Sequence, residues 1–389
     1  MLTEQWQRLR DAPDLVAAAS GAGGDPLAAQ KDLRSRFDAE LVPLALTLAE
    51  VRRKAAGRFS YAGRLWSDPV RLEQATPEAV ARHKAARFDG PVTDLCCGMG
   101  ADCVALSARG PVTAVDVDPL CGLFASWNAE AACVEAPAFE RRDAADGIPG
   151  GLVHIDPDRR PDGHRVRRLE QYRPPLEFLQ TLAATAGGGA IKVSPASNFG
   201  GKFPGCEVEL VSLGGECKEA TVWFGALAGD SPYRATLLPV GETLAGDPLS
   251  AIAPQDELGP LLLDPDPSIV RSGLVDLLCE RHGLGRLDDA EEYLTADAAP
   301  GTGFVTPFEV LDRCGNNAKQ IRSMLRRHGM GPLEVKTRHV GADANRLQKS
   351  LQKPDGDPGV LFLARLAGRT HAVLCRRPAR LAEPAAPAV

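Results

Sequence analysis

The stretch Val92-Thr93-Asp94-Leu95-Cys96-Cys97-Gly98-Met99-Gly100 decides how this chain of 389 residues is read. A short apolar run, Val92–Leu95, breaks into Gly-x-Gly and then into a helical pattern over Asp102–Ala108. A strand that turns on glycines into a helix brings backbone close to a ligand where a Cβ would collide. The same rhythm continues outward. Apolar runs fall at Val112–Val115, Ala138–Glu140, Leu152–Ile155 and Ala190–Val193, with helical segments at Pro119–Ala131 and Pro175–Thr185. Alternating strand and helix predicts a parallel sheet covered on both faces. Two further runs, Val208–Leu213 and Ala220–Phe224, are joined by a short turn containing Gly-Gly. So short a link permits only antiparallel pairing. The fold class is therefore α/β: a seven-stranded Rossmann-like sheet, mostly parallel, with an antiparallel terminal hairpin.

Asp116 closes the second run, where an acid is placed to take both hydroxyls of a ribose. A dinucleotide fingerprint wants a third small residue where Cys103 stands, and Asp102 beside it repels a diphosphate. Asp94, at the carboxyl end of the first strand, suits a cationic ligand that carries an amino acid. S-adenosylmethionine, a sulfonium with an ammonium, meets both conditions. Cys96 and Cys97 read as walls of that pocket and not as nucleophiles.

After the fourth run stands Ile155-Asp156-Pro157-Asp158-Arg159-Arg160, at the carboxyl edge where a doubly wound sheet places its chemistry. Methyl transfer asks for an aligned acceptor and removal of one proton. Asp156 is placed to orient or deprotonate an acceptor N–H, and the ring of Pro157 fixes a carbonyl. Arg159 is placed to meet guanine O6 or N7, or to grip a phosphate. Arg160, Arg165, Arg167, Arg168 and Arg173 continue a cationic loop beside Tyr172 that suits a polyanion. Lys192 ends the fifth strand without an assigned role.

The formal charge of −6 is unevenly spread. From Ala228 to Pro300 fourteen acids face four arginines, and from Ala318 to Arg380 fourteen bases face four acids. Such asymmetry argues for an anion-facing module, or else for a basic unit that neutralises its acidic neighbour. The ten cysteines show no paired CxxC spacing, so the expectation is reduced thiols in a cytoplasmic protein without a metal site. No apolar run approaches the ~20 residues of a membrane span, and the first ten residues are too polar for a secretory signal.

Gly98 and Gly100, the acid Asp116, and Asp143 within Arg142-Asp143-Ala144 together resemble the cofactor motifs of class I S-adenosylmethionine-dependent methyltransferases. The resemblance runs roughly from Arg87 to Ala226 and implies that Asp143 contacts the adenine. Members that act on base nitrogens carry Asn/Asp-Pro-Pro-aromatic at the acceptor motif. Here Asp158 and Arg159 replace the second proline and the aromatic, which argues for guanine or a differently presented acceptor over exocyclic adenine. From Phe304 to Arg376 the order of elements resembles the THUMP-like domain that follows a methyltransferase core in a family of bacterial proteins. Its pieces are Leu333–Arg338, a helix over Arg346–Leu351, and the hairpin of Val360–Leu366 with Thr370–Leu374. Glu73–Thr76, Ala81–Arg87 and Glu216–Glu219 look like that family's other marks. THUMP domains hold structured RNA, so the resemblance implies tRNA or rRNA as partner, with Lys336 and Arg338 as contacts.

The expected organisation is an N-terminal helical region (1–88), the methyltransferase domain (89–228), an acidic connector with one helix at Ser268–Arg281 (229–300), a small α+β THUMP-like domain (301–378) and a disordered tail (379–389). In the first region Asp32–Ala56 reads as continuously helical, Pro43 being its one breaker, and a second helix starts at Thr76-Pro77-Glu78. The function expected is methylation of a base in structured RNA. Two alternatives stand beside it: methylation of a small molecule or protein, and cofactor-sensing RNA binding without catalysis. The sequence gives no oligomeric state.

Overall fold

Six helices precede the first strand: α1 (Leu2–Arg10), α2 (Pro13–Gly21), α3 (Pro26–Arg36), α4 (Val42–Ala55), α5 (Pro69–Gln74) and α6 (Glu78–Ala85). In this computed structural model, residues 2–23, 25–160, 164, 166–338, 341, 343–351 and 354–378 are described. The stretch expected to be one helix over Asp32–Ala56 is two. Phe37 turns to an extended conformation after α3, and α4 restarts with Pro43 in its first turn, where a missing N–H costs nothing. Proline here opens a helix.

The alternation that follows is as expected: β1 (Val92–Leu95), α7 (Ala101–Ser107), β2 (Val112–Asp116), α8 (Pro119–Ala131), β3 (Ala138–Arg141), β4 (Leu152–Ile155), α9 (Leu176–Thr185), β5 (Gly188–Val193), β6 (Glu207–Leu213) and β7 (Glu216–Gly225). The strand order is β3-β2-β1-β4-β5-β7-β6. The first five strands are parallel, and β7 joins β5 antiparallel. Connections run outward in opposite senses from β1 and β4, so the sheet has its switch point between them. The chain divides into two units, Met1–Glu209 with Lys218–Asp230, and Leu210–Cys217 with Ser231–Val389.

The N-terminal helices bury aromatic rings against α8: Trp6 meets Phe124 at 4.9 Å and Trp66 meets Trp127 at 5.1 Å, both edge to face. Asn128, fully buried on α8, accepts from the Trp66 N–H at 2.8 Å and donates to the carbonyls of Trp66 and Met99. It ties the N-terminal region to the glycine turn. Helix α6 is clamped to the terminal hairpin by ion pairs. Lys84 Nζ lies 2.8 Å from Glu219, His83 Nε2 2.8 Å from Glu209, and Arg87 2.6 Å from Glu207. The marks at Ala81–Arg87 and Glu216–Glu219 are thus, in part, two halves of one buried charge cluster.

The second unit holds β8 (Tyr233–Leu238), β9 (Glu242–Gly246), β10 (Leu261–Pro265), α10 (Pro267–Ser272), α11 (Val275–His282), β11 (Gly285–Arg286), β12 (Leu294–Ala296), β13 (Val305–Gly315), α12 (Ala318–Arg327), β14 (Met330–Thr337), α13 (Ala344–Leu351), β15 (Asp357–Leu366) and β16 (Arg369–Arg376). One sheet, ordered β11-β12-β10-β13-β16-β15-β14, joins strands from the acidic stretch to those of the THUMP-like stretch. Residues 229–300 therefore carry far more structure than a connector with one helix. That helix is itself divided, because Gly273 takes φ +75° and ends α10 in a left-handed cap. The expected disordered tail, 379–389, lies outside the described residues. No described helix is long and apolar enough to cross a membrane.

Candidate active site

A cavity of about 760 Å³ opens over the carboxyl ends of β1, β2 and β4 and is lined by residues of the first unit. Asp94, Cys96, Gly98, Asp116, Asp143, Asp156, Pro157, Arg159 and Arg160 all border it. Nine residues singled out from four separate stretches thus meet in one space.

Gly98 takes φ +54°, and a Cβ built on it would meet nothing within 4 Å. Its backbone faces open cavity, which is a cradle that a side chain would fill. Gly100 is different. It is not among the lining residues; at φ +82° it begins α7, and a Cβ there would sit 2.5 Å from the Ala125 Cα. Its role in the fold is the close approach of α7 to α8, so it shapes the cradle from behind. Between strand and glycine, Cys96 holds φ +60°, a left-handed conformation costly for a residue with a Cβ.

Each acid of the cofactor side has part of its capacity already used. Asp116 accepts the Gly98 N–H at 3.1 Å on one oxygen and the Asp118 N–H at 3.0 Å on the other, leaving a lone pair on each. Asp143 caps a short 3₁₀ turn through Ala145 and is exposed at the rim. Asp94 is 1% exposed and doubly held, by Cys103 Sγ at 2.8 Å and by His154 Nδ1 at 2.6 Å. Each oxygen keeps a lone pair, as on Asp116, but Asp94 borders the cavity from a buried position.

Asp102 is likewise no exposed repellent of phosphate. It is buried beside Lys84 at 3.0 Å and accepts the Thr76 hydroxyl at 2.7 Å. Burial alone would raise its pKa, but the charges around it, Lys84 foremost, outweigh burial and hold it below the ordinary value. Burial, then the charges of Asp116, Asp156 and Asp94, pushes the Cys96 thiol well above its usual range. A thiol so placed is a wall and a poor nucleophile.

At the acceptor end, Asp156 Oδ2 lies 2.5 Å from the Nζ of nearly buried Lys192, which also donates to the Gln74 carbonyl at 3.3 Å. The other carboxylate oxygen of Asp156 has no hydrogen bond among the described residues. Asp158 and Arg173 exchange backbone hydrogen bonds at 2.8 and 3.0 Å, closing the neck of the arginine-rich loop. Beyond it Tyr172 is buried, its hydroxyl 2.5 Å from Ser197 Oγ. Of the cavity arginines, Arg71 is paired with Asp68 and Asp118, Arg142 with Glu140, and Arg160 with Glu73. Arg159 carries no ion pair among the described residues. Arg165 lies outside them.

Sequence reading missed His154, Lys84 and the wall built by Arg71, Gln74 and Thr76, and left Lys192 without a role. The Glu73–Thr76 mark was the available signal for the wall. The other two expected contacts, Lys336 and Arg338, belong to the second unit and are already neutralised there. Lys336 lies 2.8 Å from Asp264, and Arg338 lies 2.8 Å from Asp264 and 2.9 Å from Glu292. Part of the basic count does offset the acidic stretch before it.

A parallel sheet with an antiparallel terminal hairpin, a glycine cradle at its switch point and an acid closing β2 define a class I S-adenosylmethionine-dependent methyltransferase. The comparisons narrow this. The chain is 32% identical over 369 residues to an uncharacterized S-adenosylmethionine-dependent methyltransferase of Mycobacterium tuberculosis, found alike in strains CDC 1551 and H37Rv, covering 88% of this chain and 99% of that one. The THUMP domain-like family matches residues 305–377. A crystal structure described as that of a methyltransferase from Porphyromonas gingivalis superposes with a TM-score of 0.75 at 16% identity, over 94% of this chain and 99% of that chain, which shows the shared fold. The protein belongs to the S-adenosylmethionine-dependent methyltransferase family of the mycobacterial relatives and carries a C-terminal THUMP-like domain. Its cofactor is S-adenosylmethionine, and the open backbone at Gly98 beside Asp116 fits that group.

Proposed function

We propose that the protein methylates a base of structured RNA, tRNA or rRNA, with Asp156 and Arg159 meeting the acceptor. The observation that carries this reading is the pairing pattern at the acceptor motif. Among the described residues Asp156 has one oxygen tied to Lys192 and one without a hydrogen bond, while Arg159, on the same cavity wall, has no ion pair. An open carboxylate oxygen takes an N–H of the acceptor, and a free guanidinium takes guanine O6/N7 or a phosphate. Bound S-adenosylmethionine supplies a methyl already activated on a sulfonium. Asp156 then needs only to hold the acceptor nitrogen in line and receive its proton, and Lys192 keeps the carboxylate fixed for that task. Asp116 and Asp143 take the ribose and adenine, and Pro157 and Arg160 flank the acceptor.

The RNA reading is supported by the second unit, on a different surface from Lys336 and Arg338. Helices α12 and α13 bury Ile321, Met324, Leu325 and Leu351 in one cluster with Leu333, Leu361 and Leu374. Their exposed residues include Lys319, Arg322, Arg326, Arg346 and Lys349, none ion-paired among the described residues. About five phosphate contacts give a log–log salt slope of about −4. Tritium transfer from labelled cofactor to total RNA of a deletion strain is the test. Incorporation that Asp156→Ala abolishes is the expected outcome. Transfer only to a protein or small-molecule fraction would overturn the RNA assignment.

A further inference from the structure

The buried partner of Asp94 is His154, the inward residue of β4 that pairs with it across the sheet in register. The ring is fully buried and borders the cavity through its contact with Asp94. A carboxylate only accepts, so the proton between them belongs to Nδ1, and that N–H donates to Asp94 Oδ1 at 2.6 Å. The other ring nitrogen, Nε2, is buried without a hydrogen bond, 4.0 Å from Asp102 Oδ1. The two faces of the ring are therefore unequal: one is engaged and the other makes no hydrogen bond.

We infer that His154 is a positioning residue for cofactor binding, acting through a single Nδ1–H that fixes the Asp94 carboxylate against the cavity. This rests on the S-adenosylmethionine site described above and adds a residue to it. The physical argument is one of fixed charge. Asp94 sits at the end of β1 beside the glycine cradle, where its field favours a cationic ligand. A carboxylate held by two donors keeps that field in place without reorganising when the ligand arrives. Cys103 supplies one donor from α7 and His154 the other from β4. Loss of the imidazole lets the carboxylate rotate toward Lys84 or Lys192, whose charges already act on neighbouring Asp102. The cavity then loses its ordered anion while the glycine turn and Asp116 stay in place.

The inequality of the ring faces fixes which substitution should be tolerated. The amide nitrogen of Asn stands near the place of Nδ1, whereas that of Gln stands near Nε2. His154→Asn keeps the donor that matters, His154→Gln moves it to the idle face, and His154→Leu removes it while filling the volume. Calorimetric titration of the full-length variants with S-adenosylmethionine and with its product, S-adenosylhomocysteine, reads the effect without a methyl acceptor. Thermal melts run alongside compare stability.

The expected result is His154→Asn within about threefold of wild type for S-adenosylmethionine, and His154→Gln and His154→Leu weaker by about tenfold to a hundredfold, the scale of one hydrogen bond to a charged group. The product, which keeps the ammonium but carries a neutral thioether, should lose less than the sulfonium in each case, because the ordered charge is what changes. Three variants that bind alike, whether all near wild type or all equally weak, overturn the inference and leave the cofactor assignment standing. A wild-type protein that binds neither compound refutes the site itself. If Gln and Leu melt far below Asn, Asp94→Asn in the wild-type background decides: it must reproduce the tenfold loss and the bias toward the product, and if it does not, the inference fails.

Discussion

Replacing Lys84 by Met tests whether the buried charge cluster behind the cavity is held together by one ammonium. The Nζ lies 3.0 Å from Asp102 and 2.8 Å from Glu219, and all three side chains are under a tenth exposed. Removing one partner of such a set leaves uncompensated buried charge and costs about 3–5 kcal/mol at neutral pH. For a unit of this size each kcal/mol moves the melting point by about 2–4 °C. The assay is convenient, because all four tryptophans, Trp6, Trp66, Trp127 and Trp223, lie in the first unit, so their fluorescence reports its unfolding selectively. The pH dependence carries a sign. Asp102 is held below its ordinary pKa, so its stabilising contribution is present above about pH 4 and is lost as pH falls through the lower folded value. Lys84 is raised: burial lowers it, but Asp102 and Glu219 outweigh burial, so its contribution is lost only in strong alkali. In Lys84→Met the largest charge opposing burial is gone and the Asp102 carboxyl moves up, so the variant's deficit should shrink between pH 7 and pH 5 as the acid protonates. Adding Asp102→Asn and Glu219→Gln should restore most of the loss. A deficit under about 1 kcal/mol at pH 7, or one that stays constant on acidification, would refute the reasoning.

Asp116→Ala should weaken S-adenosylmethionine by about a hundredfold in calorimetry, since two ribose hydroxyls and two loop N–H groups lose their acceptor; a change under threefold would contradict its place in the site. Lys192→Met should leave cofactor affinity within about threefold yet slow methyl transfer by about 10²-fold or more, because Asp156 is freed; equal loss in both measurements would show a general defect. Asn128→Leu removes partners from three buried backbone groups and should cost about 3 kcal/mol in urea unfolding followed by tryptophan fluorescence. In the native protein at pH 7.5 iodoacetamide should label exposed Cys133 first and spare Cys96 and Cys103, whose thiols are raised, the latter by the contact with Cys97, by burial and by Asp94; early labelling of Cys96 in peptide mass spectra would contradict that.

The strands of the methyltransferase sheet were legible because their periods are local. Val92–Leu95, Leu152–Ile155 and Pro119–Ala131 occupy the expected residues, and the Gly-Gly link does make an antiparallel hairpin. Where punctuation had to be weighed against periodicity, the reading was poorer. Phe37–Leu41 breaks a helical pattern without any strong breaker, and Gly273 breaks another that apolar spacing had joined. The strands of residues 229–300 escaped notice because they stand among Pro, Gly and Asp and do not alternate regularly with helices. They are strands because long-range pairing makes them so, β10 with β13 and β12 with β10.

What no motif could disclose is how much of each charged group's capacity is already used. The residues Asp94, Asp116 and Asp156 look equivalent as letters after a strand. In the fold each oxygen of the first takes one side-chain donor in a buried setting, each oxygen of the second takes one backbone N–H, and one oxygen of the third takes an ammonium. The same distinction separates Arg159 from Arg160, and the exposed cations of α12 from Arg338. Some of the partners that set these differences are distant in sequence: His154 lies 60 residues from Asp94 and Lys192 lies 36 from Asp156, with Gln74 holding Lys192 from 118 residues away. Residue type fixes what a side chain is able to bind, but the partners met in the fold decide which acids remain open to a ligand. The helical region that precedes the sheet supplies Arg71, Gln74 and Thr76 to the cavity wall, so a truncation before α6 should weaken cofactor binding even if the sheet survives.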